Sequence, residues 1–467
     1  MASSTTKSAW RDNFAELKKP LVREEARIEA SRCLYCYDAP CVKACPTHID
    51  IPRFIRQIAA SDPLGSGETI LEANALGHSC ARVCPVEVLC EGACVYHDWH
   101  EKPIEIARLQ RHATDAVHAS DELPFEPGED NGKRVAVVGA GPAGVSCAVY
   151  LRRLGYAVTI FEKRKLPGGL NTFGVAEYKM DGKTSLEELR MLFRLGCSVV
   201  TGKEIGKDLK ADKILSDFDA VFLGAGLAST RGLGIPGADL PGVVDALSFI
   251  ERVKSHDPKV LGSSASTVVI GGGNTAIDAV TQSCRTGAGK VTLAYRRGAA
   301  DMSAYDFEVE LAKTDGATIV LNAAPVRVVG KKKVEGVEFA PTSTVKGKLV
   351  EDLKSTFVIP CDRVIAAIGQ VKNKSLPALF GAKLNDDGTI AVDAKTLRTS
   401  KAKVFAGGDA VNGGKEVVNA AADGKRAAWG IHQALHPGAK PDENSSYWVS
   451  TIDGRVVAPI VPREEHA

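Results

Sequence analysis

The sequence lacks the long apolar segments found in membrane-spanning and secreted proteins. No run of about 18 apolar residues occurs, and the N-terminal stretch MASSTTKSAWRDNF has no apolar signal-peptide core. It also lacks an excess of charge, since 59 basic and 57 acidic side chains give a formal net charge of +2. We therefore expect a cytoplasmic protein with no membrane contact and no nucleic-acid partner.

Signatures of hydrolytic catalysis are missing as well. The chain contains neither a nucleophile–base triad nor a metalloprotease motif, so it offers no obvious acid–base or nucleophilic centre. Its 467 residues, of which 44% are hydrophobic and 25% charged, are typical of a globular protein with two or three domains.

The pattern of the chain changes near residue 130. Before this point, segments such as EEARIEASRCLYC have helical spacing, and the polar stretch 121–133, which contains Pro and Gly, indicates a linker. After it, apolar strands ending in glycines alternate with helices, first at RVAVVGAG and again at STVVIGGGN. This alternation predicts two βαβ nucleotide-binding units. The segment KVFAGGD predicts a strand and turn that return the chain to the first unit.

We therefore predict an α/β protein with a helical N-terminal domain and two Rossmann-like domains, the second inserted in the first. The helical domain would span residues 1–130. The first Rossmann-like domain would be discontinuous, over 131–235 and 400–467, and the second would span 236–399.

Eight of the twelve cysteines lie between Cys33 and Cys94. Short spacings that end in Cys-Pro, followed by a distant second group, are typical of two 4Fe–4S clusters. Zinc is the alternative, since eight thiolates could also form two four-cysteine sites. A disulfide framework is disfavoured in a chain without a secretion signal. The isolated cysteines are expected to be buried apolar residues: Cys147, Cys197, Cys284 and Cys361.

The first glycine motif lies between a predicted strand and a predicted helix. Gly139, Gly141 and Gly144 form G-x-G-x-x-G, which permits a tight turn and brings a pyrophosphate close to the helix N-terminus. Glu162 ends the next strand, where a carboxylate binds ribose hydroxyls and repels a 2′-phosphate. This site is therefore predicted to bind the adenosine end of FAD.

A second glycine motif begins at Gly271. Gly273, Asn274 and Thr275 continue it into the next predicted helix, and the following strand ends in Arg296 and Arg297 rather than an acid. Guanidinium groups at that point pair with a 2′-phosphate and favour NADPH over NADH. The pair can equally be a solvated strand end, so NADH stays open.

The cysteine block carries a family resemblance. RCLYCYDAPCVKACPTHIDIPRFI and LGHSCARVCPVEVLCEGAC resemble the N-terminal iron–sulfur domain of dihydropyrimidine dehydrogenase, and the small subunit of glutamate synthase is similar. The resemblance implies two 4Fe–4S clusters and leaves Cys80 without a ligand role. The ligands of one cluster would be Cys33, Cys36, Cys41 and Cys94. The ligands of the other would be Cys45, Cys84, Cys90 and the side-chain oxygen of Gln110, for which a solvated helix residue is the alternative.

The same resemblance extends to the flavin. It implies that the loop with Gly169 and Leu170 lines the isoalloxazine and that Gly408 and Asp409 form a second FAD signature, in which the aspartate binds the ribityl chain. It also places Lys179 near the flavin as a candidate catalytic residue, where its charge would stabilise the reduced, anionic form. A solvated surface lysine is the competing interpretation.

Together these features imply an electron-input subunit that passes electrons from NADPH or NADH through FAD and two 4Fe–4S clusters. No further eightfold βα pattern is present for an FMN barrel, so the resemblance implies a separate FMN- and iron–sulfur-containing catalytic partner that reduces uracil or thymine to the 5,6-dihydro form. CPTHIDIP and Gln110 favour this hypothesis over the small subunit of glutamate synthase. A stand-alone NAD(P)H diaphorase or a redox-sensing binding protein is the alternative from another class.

Overall fold

The computed structural model describes Trp10, residues 12–439 and two short strands, Ser450–Ile452 and Arg455–Val457. The outer ends of the predicted helical and FAD domains, residues 1–9, 11, 440–449, 453–454 and 458–467, lie outside the described residues. The chain divides into two compact units. Of the described residues, unit 1 contains those up to Glu16 together with Phe173–Gly182 and Ala228–Val371, and unit 2 contains Leu17–Thr172, Lys183–Leu227 and those from Lys372 onward.

Unit 2 begins with short helices and 3-10 turns at Val86–Val88 and Val95–Trp99. The helices are α1 (Arg23–Ser31), α2 (Pro40–Ala44), α3 (Ile51–Ala59), α4 (Pro63–Ala73), α5 (Gly77–Val83) and α6 (Ile106–Ser120). Asp50 caps α3 by accepting a hydrogen bond from the Arg53 backbone N–H at 3.1 Å. The apolar face of α3 is buried in a core that also contains Cys45 and Cys90. The cysteines are therefore held by helices that pack on one another.

Strands and helices alternate through the rest of the chain. They run β1 (Arg134–Val138), α7 (Pro142–Arg153), β2 (Ala157–Glu162), α8 (Leu170–Phe173), α9 (Gly182–Phe193), β3 (Ser198–Thr201), α10 (Ala211–Asp217), β4 (Ala220–Leu223), β5 (Val243–Asp245), α11 (Ala246–Lys254), β6 (Ser266–Ile270), α12 (Asn274–Arg285), β7 (Lys290–Ala294), α13 (Asp306–Thr314), β8 (Thr318–Val320), β9 (Ala323–Val329), β10 (Gly336–Val345), β11 (Lys348–Glu351), β12 (Phe357–Pro360), β13 (Arg363–Ala366), α14 (Ser375–Leu379), β14 (Val404–Ala406), α15 (Asp409–Asn412), α16 (Val417–Leu435), β15 (Ser450–Ile452) and β16 (Arg455–Val457).

The sheet of unit 2 is parallel, in the order β14-β4-β1-β2-β3. The central strand β1 places Val137 between Ile160 of β2 and Phe222 of β4, and all three side chains are buried. Burial on both faces explains the unbroken apolar runs that the sequence shows here. Because β14 pairs with β4, the predicted return of the chain to the first sheet is confirmed.

Unit 1 contains a second parallel sheet, in the order β5-β13-β6-β7-β8. Between β8 and β13 the chain forms an antiparallel sheet in which β10 pairs with β9, β11 and β12. We did not predict this antiparallel sheet from the sequence.

The predicted fold class is confirmed: a helical N-terminal part precedes two Rossmann-like sheets, and the second lies between segments of the first. The limits of unit 1, Ala228 and Val371, differ from the predicted limits of 236 and 399, and the helical part shares unit 2 with the first sheet. The three domain boundaries therefore stay a prediction. In the ranges described, no helix combines the length and apolar character that a bilayer crossing requires.

Candidate functional site

Four thiols line one cavity in unit 2: those of Cys33, Cys36, Cys41 and Cys94. Burial raises the pKa of the Cys41 thiol to about 12, and the thiolates of Cys33 and Cys94 raise it further. Thiolates collected in an apolar cavity repel one another unless a cation compensates them. The donor set fits an iron–sulfur cluster, whose irons bind thiolates. It is the set expected for the first cluster.

Three further cysteines form a second, more deeply buried group. Burial raises the pKa of Cys90 well above its usual value, and the negative charges of Cys45, Glu91, Cys84 and Cys41 add to the effect. Cys45 and Cys84 therefore lie near Cys90, but so does Cys41 of the first group, and the assignment of these thiols to a second cluster stays a prediction. In the described part of the chain, no three His, Cys, Asp or Glu side chains converge on a point that a single ion could fill. A cluster spreads its ligands over several irons and does not need such convergence.

Gln110 and Cys80 are the two candidates for the remaining ligand of this second group. Gln110 lies on α6, is only 7% exposed, and donates from its side-chain nitrogen to the carbonyl of Gly77 at 2.7 Å. Gly77 begins α5, the helix that carries Cys80 and ends one residue before Cys84. Cys80 is hydrogen-bonded to Cys84, which raises the pKa of the latter. Gln110 is thus a buried neighbour of α5 and not a solvated residue, and its ligand role stays a prediction.

The first glycine motif has the backbone that a pyrophosphate site requires. Gly139 has a φ of +101°, and a side chain on Gly144 would place its Cβ 1.9 Å from the Gly139 carbonyl oxygen. A Cβ on Gly141 would meet nothing closer than the Cα of Gly169, at 3.9 Å. Gly141 therefore faces open space at the start of α7, and this cradle fits a dinucleotide phosphate.

Glu162 lies at the end of β2 beside this motif, as predicted. Its carboxylate accepts hydrogen bonds from the backbone N–H groups of Ala140 at 2.9 Å and Arg164 at 2.8 Å. The acid is therefore fixed next to the glycine turn, where a ribose hydroxyl could reach it.

The loop predicted to line the flavin is hydrogen-bonded to the first glycine motif. The backbone N–H of Gly168 donates to the carbonyl of Ala140 at 2.8 Å, and Leu170 begins α8. Asn171 is buried, and its Oδ1 atom has no hydrogen-bond partner among the described residues. A buried acceptor of this kind fits a donor on a bound group.

Asp409 is part of the second predicted FAD signature, also in unit 2. Burial raises the pKa of its carboxyl to about 6, although the N–H of Lys415 donates to it at 3.2 Å. Gly408 has a φ of +70°, and a Cβ there would lie 2.9 Å from the Cβ of Ala143 on α7. The structure therefore brings the two predicted FAD signatures together at the start of α7, although they are far apart in sequence.

The second glycine motif opens onto a cavity of about 510 Å³ in unit 1. Gly271, Gly273 and Thr275 line it on one side, and Arg296 and Arg297 line it as well. The cavity has the size and donor groups for a nicotinamide dinucleotide. The side chain of Asn274 has a different role, because its Oδ1 accepts a hydrogen bond from the Tyr305 backbone N–H at 3.0 Å.

Lys179 lies in unit 1, within a buried group of charges. Its ammonium contacts Asp278 at 2.8 Å and Glu308 at 2.7 Å. Burial opposes charge on the lysine, but the two carboxylates outweigh burial and hold its pKa above the usual range. The ammonium is thus committed to two carboxylates and is not a solvated surface group. Its predicted role near the flavin stays a prediction.

Sequence reasoning missed three charged residues at these sites. Glu351, on β11, lines the dinucleotide cavity. Lys18 donates to the carbonyl of Cys84 at 2.5 Å, and Lys425 donates to that of Thr47 at 2.6 Å. No local motif marks any of them, because each reaches its site through tertiary packing.

Comparison with known proteins agrees with this architecture. A family model described as dihydropyrimidine dehydrogenase domain II, 4Fe-4S cluster, matches residues 10–122. A second model, described as pyridine nucleotide-disulphide oxidoreductase, matches residues 133–424, which is more than half of the chain. The chain belongs to the pyridine nucleotide-disulphide oxidoreductase family.

Two relatives match this chain over nearly its whole length. It is 35% identical over 438 residues to the glutamate synthase (NADPH) small chain of Halomonas elongata, covering 90% of this chain and 92% of that one. It is 34% identical over 408 residues to the NAD-dependent dihydropyrimidine dehydrogenase subunit PreT of Salmonella typhimurium, covering 87% and 94%. The family resemblance expected from the cysteine block is therefore confirmed.

Solved structures show the same fold. FprA from Mycobacterium tuberculosis in complex with NADPH matches with a TM-score of 0.54 and 18% identity, covering 66% of this chain and 87% of that one. Thioredoxin reductase from T. acidophilum matches with a TM-score of 0.51 and 24% identity, covering 65% and 99%. As a pyridine nucleotide-disulphide oxidoreductase with an iron–sulfur domain, the chain is an NAD(P)H-dependent oxidoreductase that uses flavin and 4Fe–4S chemistry.

Proposed function

We propose that this chain is the electron-input subunit of a two-subunit dihydropyrimidine dehydrogenase. It would take electrons from NADPH or NADH and deliver them through FAD and two 4Fe–4S clusters to an FMN- and iron–sulfur-containing partner. The partner would reduce uracil or thymine to the 5,6-dihydropyrimidine.

Two clusters are proposed because one cavity takes only four of the eight ligand candidates. Cys33, Cys36, Cys41 and Cys94 share this cavity. Cys45 and Cys84 lie near buried Cys90, and Gln110 is buried on α6, which supports a second cluster at these residues. Bound FAD supplies the conversion between a two-electron nicotinamide and one-electron clusters.

The residues of the chain bind and orient these groups. The open space at Gly141 would take the pyrophosphate of FAD, and Glu162, fixed beside it, would hold the ribose. The unpaired acceptor oxygen of buried Asn171 would face the flavin, and the carboxyl of Asp409 would bind the ribityl chain. None of these residues needs to exchange a proton with a substrate, which agrees with the lack of an acid–base motif.

The cosubstrate is proposed to be NADPH, because Arg296 and Arg297 are exposed guanidinium groups in the dinucleotide cavity. A guanidinium pairs with a 2′-phosphate through charge-assisted hydrogen bonds. NADH is the competing cosubstrate, since Glu351 lines the same cavity and a carboxylate repels a 2′-phosphate.

The observation that carries the choice of pyrimidine reduction is the burial of Gln110. The two kinds of relative are equally similar in overall identity, so identity does not separate them. The glutamate synthase small chain typically has an acidic residue near this position. An uncharged amide, 7% exposed beside α5, supports the dehydrogenase assignment.

The test is anaerobic reconstitution of the purified chain with an FMN-containing pyrimidine-reducing subunit. We expect NADPH oxidation that depends on uracil and on both subunits. In parallel, the chain is mixed with a large amidotransferase subunit, glutamine and 2-oxoglutarate. Activity only in the second mixture would replace the proposal with glutamate synthase. Oxidation of NADPH by artificial acceptors alone would favour a stand-alone diaphorase.

A further inference from the structure

Lys425 is a fully buried lysine on α16, with 0% of its surface exposed. Its ammonium donates to two backbone carbonyls, that of Thr47 at 2.6 Å and that of Ala73 at 2.8 Å. Within the described residues, no carboxylate lies at ion-pair distance from it. Burying an ammonium without an anionic partner lowers the stability of a folded protein by roughly several kcal/mol.

The electrostatic surroundings of Lys425 point to one kind of partner. Burial lowers the pKa of its ammonium to about 7, and the thiolate of Cys45 is the charge that opposes this effect. Arg153 and Arg426 act in the other direction, since both are positive. Cys45 itself is 7% exposed and begins a turn that contains Thr47 and is closed by the His48 N–H, which donates to the Cys45 carbonyl at 2.9 Å; the Cys45 thiol lies 3.3 Å from the Thr47 hydroxyl. Because Lys425 donates to Thr47 and the Cys45 thiol contacts the same residue, a negative charge bound at Cys45 is in place to compensate the ammonium.

An iron–sulfur cluster bound through thiolates supplies such a charge. Its reduction potential depends on net charge, on hydrogen bonds around the sulfurs and on solvent exposure. A buried cation favours the reduced cluster, which carries one more negative charge, and a negative cluster in turn favours the protonated ammonium; the low dielectric makes both effects larger than at a surface.

We propose that Lys425 is the counter-charge of the cluster that Cys45 helps to bind, and that it raises the reduction potential of this cluster. It is a positioning residue that acts through the Cys45–Thr47 turn and touches no reacting atom. This inference rests on the proposed role of Cys45 as a cluster ligand, but not on the identity of the partner subunit.

Two other lysines provide matched controls. Lys18 donates to the carbonyl of Cys84 at 2.5 Å but is only partly buried, so water screens its charge. Lys43 lies on α2 between two ligand candidates, but its side chain is 50% exposed and pairs with Asp38 at 2.6 Å. Both are close to the clusters, and neither is buried as Lys425 is.

The experiment is an anaerobic redox titration of the purified holoprotein, followed by EPR, for the wild type and for Lys425→Gln, Lys425→Arg, Lys18→Gln and Lys43→Gln. Glutamine keeps donors for the two carbonyls and removes the charge. We expect Lys425→Gln to lower the equilibrium constant for reduction of one cluster at least tenfold, a shift of about 59 mV for a one-electron couple. The arginine variant should stay near the wild type, and the two control variants should shift much less.

A Lys425→Gln protein that contains both clusters and keeps the wild-type potentials would overturn the inference, as would an equal shift in Lys43→Gln. If the glutamine variant does not retain iron, wild-type protein labelled with [ε-15N]lysine gives the readout by pulsed EPR of the reduced cluster. A nitrogen coupling that survives both control substitutions is expected, and its absence refutes the inference. Zinc in place of iron would instead refute the proposed function.

Discussion

Two single substitutions, Gly141→Ala and Gly144→Ala, distinguish the folding of the first nucleotide site from its ligand binding. A Cβ on Gly144 would lie 1.9 Å from the carbonyl oxygen of Gly139, so the backbone of the turn must move. Overpacking of this kind costs about 1–3 kcal/mol. A Cβ on Gly141 meets only the Cα of Gly169 at 3.9 Å, and Gly141 has a φ of −79°, which alanine adopts without strain. Gly141→Ala should therefore leave the apoprotein as stable as the wild type, or stabilise it by about 0.4–1 kcal/mol.

Although it should leave the apoprotein stable, Gly141→Ala should weaken the binding of FAD. The new methyl group of Gly141→Ala occupies the space through which a pyrophosphate approaches the start of α7. If that crowding costs about 1–3 kcal/mol, FAD affinity falls roughly ten- to a hundredfold. Thermal unfolding of the flavin-free proteins and titration with FAD by flavin fluorescence measure both quantities. The reasoning is refuted if Gly141→Ala binds FAD as tightly as the wild type, or if its apoprotein is as unstable as Gly144→Ala.

Three further predictions use substitutions outside the first nucleotide site. Cys33→Ser should remove the iron of one cluster. The control Cys284→Ser, at a half-buried isolated thiol, should keep the full iron and sulfide content. Equal loss of iron in both variants would contradict the assignment of Cys33 as a ligand. Replacing Arg296 and Arg297 by alanine should raise the KM for NADPH about tenfold or more and leave the KM for NADH nearly unchanged. The reason is that charge-assisted hydrogen bonds to the 2′-phosphate contribute about 1.5–3 kcal/mol each. Equal changes in both KM values would show that the arginines do not bind the 2′-phosphate. Glu188, on α9, is fully buried and accepts hydrogen bonds from the backbone N–H groups of His78 and Ser79, both at 3.1 Å. Burial raises its pKa to about 7 from 4.5, so the folded state holds this proton more tightly than the unfolded chain. Stability should therefore fall as pH rises from about 4.5 through 7, by up to about 3 kcal/mol. Glu188→Gln should flatten the dependence of the thermal midpoint on pH, and an unchanged slope would rule this out.

Local motifs predicted the parts of the molecule that depend on short-range geometry. The glycine turns and Glu162 need specific residues at fixed offsets from a strand, and the structure has them at the ends of β1 and β2. The grouping of the cysteines is different: Cys33, Cys36 and Cys41 of the first segment line one cavity, but the fourth thiol there is Cys94 of the second segment, so spacing alone did not predict it.

Long-range packing decided the features that the sequence did not reveal. Lys179 follows the predicted flavin loop closely in sequence, but its segment Phe173–Gly182 belongs to unit 1, where two carboxylates hold its ammonium. Lys425 is 378 residues from Thr47, and no periodicity links the two. The antiparallel sheet β9–β12 also interrupts the expected alternation of strands and helices. In each case the partner is far away in sequence and leaves no pattern near the residue.

The central claim is that electrons leave the nicotinamide, pass the flavin and enter iron–sulfur clusters held by the N-terminal cysteines. The most direct measurement is EPR of the anaerobically purified chain after addition of NADPH, compared with the same chain without it. The account predicts bleaching of the flavin together with signals of reduced 4Fe–4S clusters. A colourless protein, or one with zinc and no iron-derived signal, would contradict it.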